Sequence, residues 1–409
     1  MTASPQTAGA LSGIRILDFT RFQAGPAASA HLADLGAEVI KIENTRIGDL
    51  GRYYPTPNCP TSSYFQALNR NKKSVAIDCN RPEGREALLR LARECDVAME
   101  NFRPGIVESL GLGYEDLKRE NPTIIYAHVS GFGRTGPSSQ RPCFDLVAQA
   151  MGGLMSVTGE RHGSALPAGA AIADQATAMY LAIGILSALV HRLKTGEGQE
   201  LDVAMVDSTI ALQMWEMTTY LMGGVLPPRV GPGYQLPGDV WRRFDTKDGA
   251  LVISGVFNMT SSGETRWDAL VRVLGLGDLV GHPDYDSPMT RAGREDDFMP
   301  RLEEAFRKRT TKEWLVDLEA ADVIAGAVYS YAEATSDPQV LQNGLVQEFD
   351  HPDAGRLRAI GTPVYLSKTP ATIRRHAPLM GEHTEEILAR IGYGPEEIAK
   401  FKAAGVIRD

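Results

Sequence analysis

The chain has 409 residues, 43% hydrophobic and 23% charged; these proportions exclude a disordered or low-complexity protein and, at this length, suit two cores rather than one. Its formal charge of −9 excludes a general phosphate-tracking nucleic-acid binder, so an anionic ligand must meet local basic residues. Cys59, Cys79, Cys95 and Cys143 form no CxxC pair and no zinc-like spacing, which points to a reducing, cytoplasmic setting and no metal site.

The first ten residues, "MTASPQTAGA", lack the basic start and apolar run of a signal peptide and read as a flexible tail. "GIRILDFT", "QAGPAASAHLADLG" and "AEVIKIE" then read as strand, helix and strand: Ala28, His31, Leu32 and Leu35 recur at helical spacing and Gly36 ends the run. Such a unit predicts parallel strands joined by a right-handed crossover. The alternation continues through "KSVAIDC", a helix from about Pro82 to Glu94, "DVAMENF", a helix around Gly105 to Lys118, and "TIIYAHVSGFG". The fold class is therefore α/β, with a Rossmann-like, doubly wound large domain.

The longest apolar run, Ala178 to Val190, includes Ser187 and is too short to span a bilayer, so no membrane association is expected. A long helical stretch, "DSTIALQMWEMTTYLM", gives way to "GGVLPPRVGPGYQLPG", whose Gly and Pro mark a linker or exposed loop. "FDTKDGALVISGV" predicts two strands around a turn, while "RWDALVRVLGL" and "MPRLEEAFRKRTTKEWLVDLEA" predict helices. These place a smaller α+β domain at 225–335. The mixed tail is expected to return to the first domain, making the large unit 1–222 with 336–409.

No P-loop, HExxH or GxSxG motif is present, and "GLGDLVG" and "GLGYED" have the wrong glycine spacing or context for dinucleotide binding. Asp174 stands where a greasy helix begins. One reading makes it the N-cap, with Thr177 three places on. The other, compatible with it, makes it an ionised carboxylate at a helix N-terminus, with Ala170, Ala171 and Ala173 leaving room for a bulky group.

Three further stretches fall where an open sheet binds ligands. "RFQAGPA" offers Gln23, Gly25 and Pro26 at a strand-to-helix turn; "ENFRPG" offers Asn101 and Arg103; "ALNRNKKS" gathers Arg70, Lys72 and Lys73. The last is either a solvated basic turn or a contact for the phosphates of an anionic cofactor. Three crevice loops and a carboxylate suggest a nucleotide-like ligand.

Six ordered blocks, from "LSGIRILDFTRFQAGPAASAHLADLGAEVIKIE" through "LNRNKKSVAID", "VAMENFRPG", "FDLVAQAMGGLMSVTG" and "AAIADQATAMYLAIGILSALVHRLKTGEGQ" to "APLMGEHTEEIL", resemble the class III CoA-transferases over nearly the whole chain. The resemblance implies that Asp174 is a covalent nucleophile and that a coenzyme A thioester is the co-substrate, with a carboxylic acid as acceptor and no tightly bound metal or redox cofactor. It implies that Gln23 and Ala24, the loop Leu68, Asn69, Arg70, Asn71 and Lys72, the loop Asn101, Phe102 and Arg103, and Cys143, Phe144 and Asp145 touch CoA or flank the nucleophile. It also implies two ring-like subunits interlocked as a homodimer, or as a heteromer of related chains. Gly152, Gly153 and the 255–263 loop are candidate backbone donors to an oxyanion.

Departures narrow the expectation. Asn44 replaces an arginine of the formyl-CoA transferases, Ser109 stands near another basic position, Phe144-Asp145 replaces a Tyr-Glu pair, and "SGVFNMTSSGETRW" replaces a glycine run. Formyl-CoA and oxalate are thus not the expected pair. The α-methylacyl-CoA racemase branch carries a histidine before the aspartate that matches Asp145; here Phe144 stands there, and neither His128 nor His162 is expected to act as a base. A non-catalytic CoA-binding module and a thioester hydrolase compete with the transferase reading as well. Arg103, Arg141, Arg242 and Arg243 are candidates to hold a second carboxylate, and Trp241, Phe244 and Trp267 either line an acyl pocket or fill a core.

Overall fold

Short runs of branched apolar residues become the strands of one central sheet. In the computed structural model, which describes residues 9–234 and 236–408, these are β1 (Arg15–Asp18), β2 (Glu38–Glu43), β3 (Lys73–Ile77), β4 (Val97–Glu100), β5 (Ile125–Ser130) and β6 (Glu200–Ala204). All six are parallel, in the order β3-β2-β1-β4-β5-β6, and the terminal strand Ile407–Arg408 pairs antiparallel with β3 at the edge. The first eight residues of the expected tail lie outside the described residues.

Helices cover both faces, which is why β1 to β5 read as nearly continuous apolar runs. On one face, Leu88, Leu117 and Ile387 pack on Leu17, Ile40 and Val75; on the other, Leu32, Leu181 and Ile185 pack on Ile16, Val39 and Val97. The second face rests on two helices, Ala24–Asp34 and Ile172–Thr195. Alanines on both let them approach closely. Strand order reverses between β1 and β4, so the loops leaving their carboxyl ends part and open a crevice.

Four local expectations change. The helix expected around Gly105 to Lys118 is two, Ile106–Ser109 and Tyr114–Glu120, because Gly111 takes φ +69° between them. The stretch after β6 also breaks, at Gln213, whose amide turns back to the carbonyls of Gly152 and Thr209. β6 itself carries alternating burial, and its charged residues, Glu200 and Asp202, hide it from an apolar-run search. The helix Ile172–Thr195, moreover, has 24 residues and is long and apolar enough to cross a membrane by length and composition; the run of uninterrupted apolar residues understates it.

The chain divides into two compact units. The first comprises the chain through Leu154, Ala168–Gly224 and the segment from Pro338 onward, including the hairpin of Val346–His351 and Gly355–Ile360. The second comprises Met155–Pro167 with Val225–Asp337, so residues 155–167 group with the smaller unit rather than the larger. It holds an antiparallel sheet of β7 (Trp241–Asp245), β8 (Ala250–Ser254) and β9 (Ala325–Ala327). Trp267 and Phe244 fill its core beside Phe298 and Phe306, Trp241 bonds Asp239, and Arg242 and Arg243 pair with Glu303 and Asp245. Phe244 and Trp267 are therefore core residues, and Arg242 and Arg243 are already neutralised.

Leu181, fully buried between sheet and helix, reports on the packing that holds Ile172–Thr195. Leu181→Ala is expected to cost about 3 kcal/mol of unfolding free energy, measured by urea titration at constant m value.

Candidate active site

The crevice is built first by the end of β1. Asp18, its last residue, is fully buried and accepts bonds from the Thr20 amide (2.9 Å), the Thr20 hydroxyl (2.5 Å) and the Ser29 hydroxyl (2.6 Å). These bonds fold residues 19–23 into a tight turn in which Phe22 takes φ +64°. For an aromatic residue that conformation costs on the order of 1 kcal/mol and persists only because its surroundings over-determine it. A Cβ on Gly25 would lie 2.5 Å from Thr20 Cβ, so glycine alone permits this approach. Asn101, just beyond β4, clamps the same turn by accepting from the Arg21 amide (2.8 Å) and donating to the Arg21 carbonyl (2.6 Å).

The turn ends by starting the helix Ala24–Asp34, whose first N–H, that of Ala24, lies beside the Asp174 carboxylate in the same cavity and favours its anion. Asp174 comes from the other helix. It is not the N-cap: that position is Ala171, and Asp174 lies inside the first turn. The capping work is done from outside, by Asp145, whose Oδ1 accepts from the amides of Ala173 (2.8 Å) and Asp174 (3.1 Å). Its Oδ2 accepts from Gln149 (2.6 Å), and Gln149 in turn accepts from the Ala168 amide (2.9 Å). Because Asp145 occupies the helix donors, the Asp174 side chain is left to face the cavity.

This arrangement raises the energy of the Asp174 anion. Burial, followed by the Asp145 charge, pushes its carboxyl up to about 7, against the opposing pull of the Ala24 N–H. The neighbouring groups respond in kind. Burial and then the Asp174 charge push the Cys143 thiol up to about 11 and raise the Tyr64 phenol well above its ordinary range. Cys143 is held as a neutral thiol.

Around Asp174 lies a cavity of about 470 Å³. Phe22, Phe144, Val129 and Met205 provide apolar wall, and Phe22 and Phe144 meet edge to face at 5.5 Å. Its rim carries Arg21, Arg103 and Arg141, all exposed. Arg21 stacks on Phe102 and Arg141 on Phe132; among the described residues none of the three has a carboxylate within ion-pairing distance. Three unneutralised guanidinium groups on a chain of net charge −9 make this rim fit for an anion.

Of the residues singled out in the sequence, Gln23, Ala24, Asn101, Phe102, Arg103, Cys143, Phe144 and Asp174 line this cavity, and Asp145 supports it from behind. The loop from Leu68 to Lys72 does not line it. Leu68, Asn69, Arg70, Asn71 and Lys72 are all buried. Arg70 pairs with Asp34 at 2.7 Å; Asn71 bonds Asp34 and the amides of Arg374 and Arg375; Lys72 bonds Asp18, Asn69 and the Pro26 carbonyl. Their side chains therefore offer no exposed phosphate contact, because buried carboxylates and carbonyls already hold them, and Lys73 pairs with Glu38 and Glu386.

Of the suggested oxyanion donors, Gly152, Gly153, Gly255 and Gly263 already donate to Ala148, Ala150, Val240 and Thr260, and none of the 255–263 loop lines the cavity. His128 is buried between Glu100 and Glu200 and does not line the cavity, nor does any other described histidine. Phe22 and Arg21 also line the cavity, yet nothing in the sequence beside Gln23 marks them, because a positive φ on phenylalanine leaves no sequence signal.

The comparisons with known proteins bear on this same framework. The model of "CoA-transferase family III" matches residues 11–384. The chain belongs to that family. Family III relatives include succinyl-CoA:glutarate CoA-transferase of Homo sapiens, 36% identical over 97% of this chain and 90% of that one. Formyl-CoA:oxalate CoA-transferase of Rhodopseudomonas palustris is 35% identical over 97% of both. Among solved structures, a CAIB/BAIF family protein from Brucella suis superposes with a TM-score of 0.83 at 31% identity, over 94% of this chain and all of that one. A hypothetical protein from Mycobacterium tuberculosis superposes at 0.80 and 32%, again over 94% and 100%. As a member of family III the protein is an enzyme that acts on CoA thioesters and carboxylic acids, and the cavity at Asp174 is its candidate active site.

The raised Asp174 carboxyl sets two expectations. A group that binds its proton more tightly when folded stabilises the native state while protonated, and that contribution is lost as pH rises from about 4 through about 7. Asp174→Asn should thus be more stable than the wild type by about 2 kcal/mol at pH 8 and nearly equal to it at pH 4, measured by denaturant titration at both. Asp145→Asn keeps an acceptor for the helix amides but removes the charge, so the Asp174 titration should move down in pH, followed by carboxyl ¹³C NMR.

Proposed function

We propose that the protein transfers coenzyme A reversibly from an acyl-CoA donor to an acceptor carboxylic acid, with Asp174 as the carrier. The carrying observation is the Asp174 carboxylate, which faces an arginine-rimmed cavity beside the Ala24 N–H and, among the described residues, has no cationic partner. In the proposed reaction an Asp174 oxygen attacks the thioester carbonyl of the donor. The C–S bond breaks, giving an aspartyl–acyl anhydride and CoA thiolate. The thiolate then attacks the aspartyl carbonyl, releasing the donor acid as its carboxylate and leaving an aspartyl-CoA thioester. The acceptor carboxylate runs the same steps in reverse.

Each step passes charge through an oxyanion next to Asp174, where the Ala24 N–H is already aimed and needs no reorganisation. An anion of raised energy attacks more readily than a fully solvated one, since less hydration is lost on the way to the transition state. An anhydride is easily hydrolysed, so the apolar wall of Phe22, Phe144, Val129 and Met205 serves to keep water out while the thiolate stays near.

The substrate class we propose is a dicarboxylic acid and its half-thioester. The named relatives act on glutarate and oxalate, both dicarboxylates, and a distal carboxylate suits the unpaired rim arginines. The racemase reading has less support, since it needs a base at the cavity and His128 is enclosed between two carboxylates. A reducing, cytoplasmic setting is part of the proposal and suits four free cysteines.

We also propose that two copies interlock. Met179, Ile183 and Leu193 on the helix Ile172–Thr195, and Trp215, Leu221 and Met222 further on, are exposed apolar side chains of the first unit, more than an isolated chain covers comfortably. Tagged and untagged native protein, mixed and incubated, should form no mixed dimers until the chains are unfolded and refolded together; exchange without unfolding would exclude interlocking.

The reaction is tested by incubating the enzyme with succinyl-CoA, quenching with hydroxylamine and mapping the product by mass spectrometry. A hydroxamate at residue 174 is expected, and Asp174→Asn should lose at least about 10³-fold of transfer to glutarate. An unmodified residue 174 with turnover intact, α-proton exchange without CoA transfer, or succinyl-CoA consumption needing no acceptor would each overturn the proposal.

A further inference from the structure

The loop between Asn69 and Lys73 reads in the sequence as either a solvated basic turn or a phosphate contact, and the structure gives its lysine at position 72 different work. Lys72 is fully buried. Its ammonium reaches three acceptors, Asp18 Oδ2 at 3.1 Å, the Pro26 carbonyl at 3.1 Å and Asn69 Oδ1 at 3.0 Å, which uses all its protons. Two of those acceptors belong to the ends of one short segment: Asp18 closes β1 and Pro26 lies in the first turn of the next helix. Between them sit Phe22, in its left-handed conformation, and Ala24, which lines the cavity with Asp174 and whose N–H favours the Asp174 anion. A second buried lysine, Lys41, ties the same segment by donating to the Thr20 carbonyl at 2.8 Å while pairing with Asp49 at 2.8 Å.

We propose that Lys72 is a positioning residue for the chemistry at Asp174: by joining Asp18 to the Pro26 carbonyl it fixes residues 18–26 so that the Ala24 N–H stays aimed at the carboxylate. Lys72 lies outside the cavity lining, so it acts through the turn and not on the substrate. Without its ammonium, Asp18 keeps only the Thr20 and Ser29 bonds, which lie within the segment and its helix, and the tie from Asp18 and Pro26 across to Asn69 is gone. Burial pulls the ammonium down to about 8 against the opposing pull of Asp18, which leaves it charged at neutral pH.

The consequence for rate rests on the transferase reading above; the consequence for Asp174 ionisation does not. The groups that face Asp174 are Asp145, Tyr64 and Cys143, with Arg141 near Cys143, and those that face Lys72 are Asp18, Lys41 and Asp49. All are retained in the single variant Lys72→Met.

The test has two readouts on the full-length enzyme. The first is the titration of the Asp174 carboxyl by ¹³C NMR, assigned by its loss in Asp174→Asn. The second is the single-turnover rate of loading by succinyl-CoA, with kcat and KM for transfer to glutarate. Lys72→Met is expected to move the Asp174 midpoint up by about half a pH unit, because a displaced Ala24 N–H favours the anion less. Loading and kcat should fall by up to about 100-fold, the scale of an ångström-sized misplacement, with KM for succinyl-CoA changed less than about threefold.

Should Lys72→Met fail to fold because Asp18 is left alone, Asp18→Asn with Lys72→Met leaves no isolated buried charge and is read in the same way. A folded variant with an unchanged Asp174 titration and unchanged loading overturns the proposal, whatever its thermal midpoint. A rise in KM alone also overturns it, by returning Lys72 to the role of a phosphate contact. Failure of the wild type to load succinyl-CoA counts against the transferase reading and leaves the NMR titration to decide the role of Lys72.

Discussion

The structure depends on a carboxylate that caps a helix to which it does not belong. The first turn of Ile172–Thr195 has amides that need an acceptor, and an aspartate of that turn is the local candidate. Asp145 supplies the acceptor instead, from another helix, and by doing so has two effects at once. It frees the Asp174 side chain to face the cavity, and it places a second negative charge behind it. One hydrogen-bonding choice thereby sets both the direction and the proton affinity of the group on which the proposed reaction turns.

A carboxylate left in that state needs a donor that cannot drift, and the rest of the crevice is organised to hold one. Asp18, Lys72, Lys41 and Ser29 are buried polar groups that a simple apolar core would not contain. Burying them is tolerable because each is paired or hydrogen-bonded. They converge on the short segment 18–26, keep Phe22 in an unfavourable backbone region, and deliver the Ala24 amide. Across the crevice, Glu100 and Asn101 do similar work for the β4 loop, where Glu100 accepts from the Phe102 amide and Asn101 clamps Arg21. The topological switch between β1 and β4 opens the space; these buried polar groups give its walls a fixed shape.

The sequence and structure agree best where the signal is local and periodic. The strands β1 to β5, the helix over 82–92 and the hairpin of the small unit follow from apolar spacing and turn residues alone. β6 does not, because a strand carrying Glu200 and Asp202 lacks the apolar run that marks its neighbours. The breaks at Gly111 and Gln213 are hidden for a related reason: periodicity continues through them, and only packing shows that the chain turns. At the site, Asp174, Gln23, Asn101 and Arg103 are legible as unusual residues at strand or helix ends. The loop from Leu68 to Lys72 is not, since a cluster of basic residues in a sequence looks the same whether it faces solvent or a buried Asp18 and Asp34.

The alternation of strands and helices, the position of the lone acid at a helix start, and the ordered blocks that place the chain in family III are all legible in the order of the residues. These are properties of residues near one another along the chain, and local chemistry suffices to read them. That Asp145 rather than Asp174 caps the helix, that Lys72 turns inward, and that Arg21, Arg103 and Arg141 share one rim emerges with the folded chain. Those outcomes depend on which distant groups compete for the same hydrogen bonds and charges, and such competition is settled by folding in three dimensions.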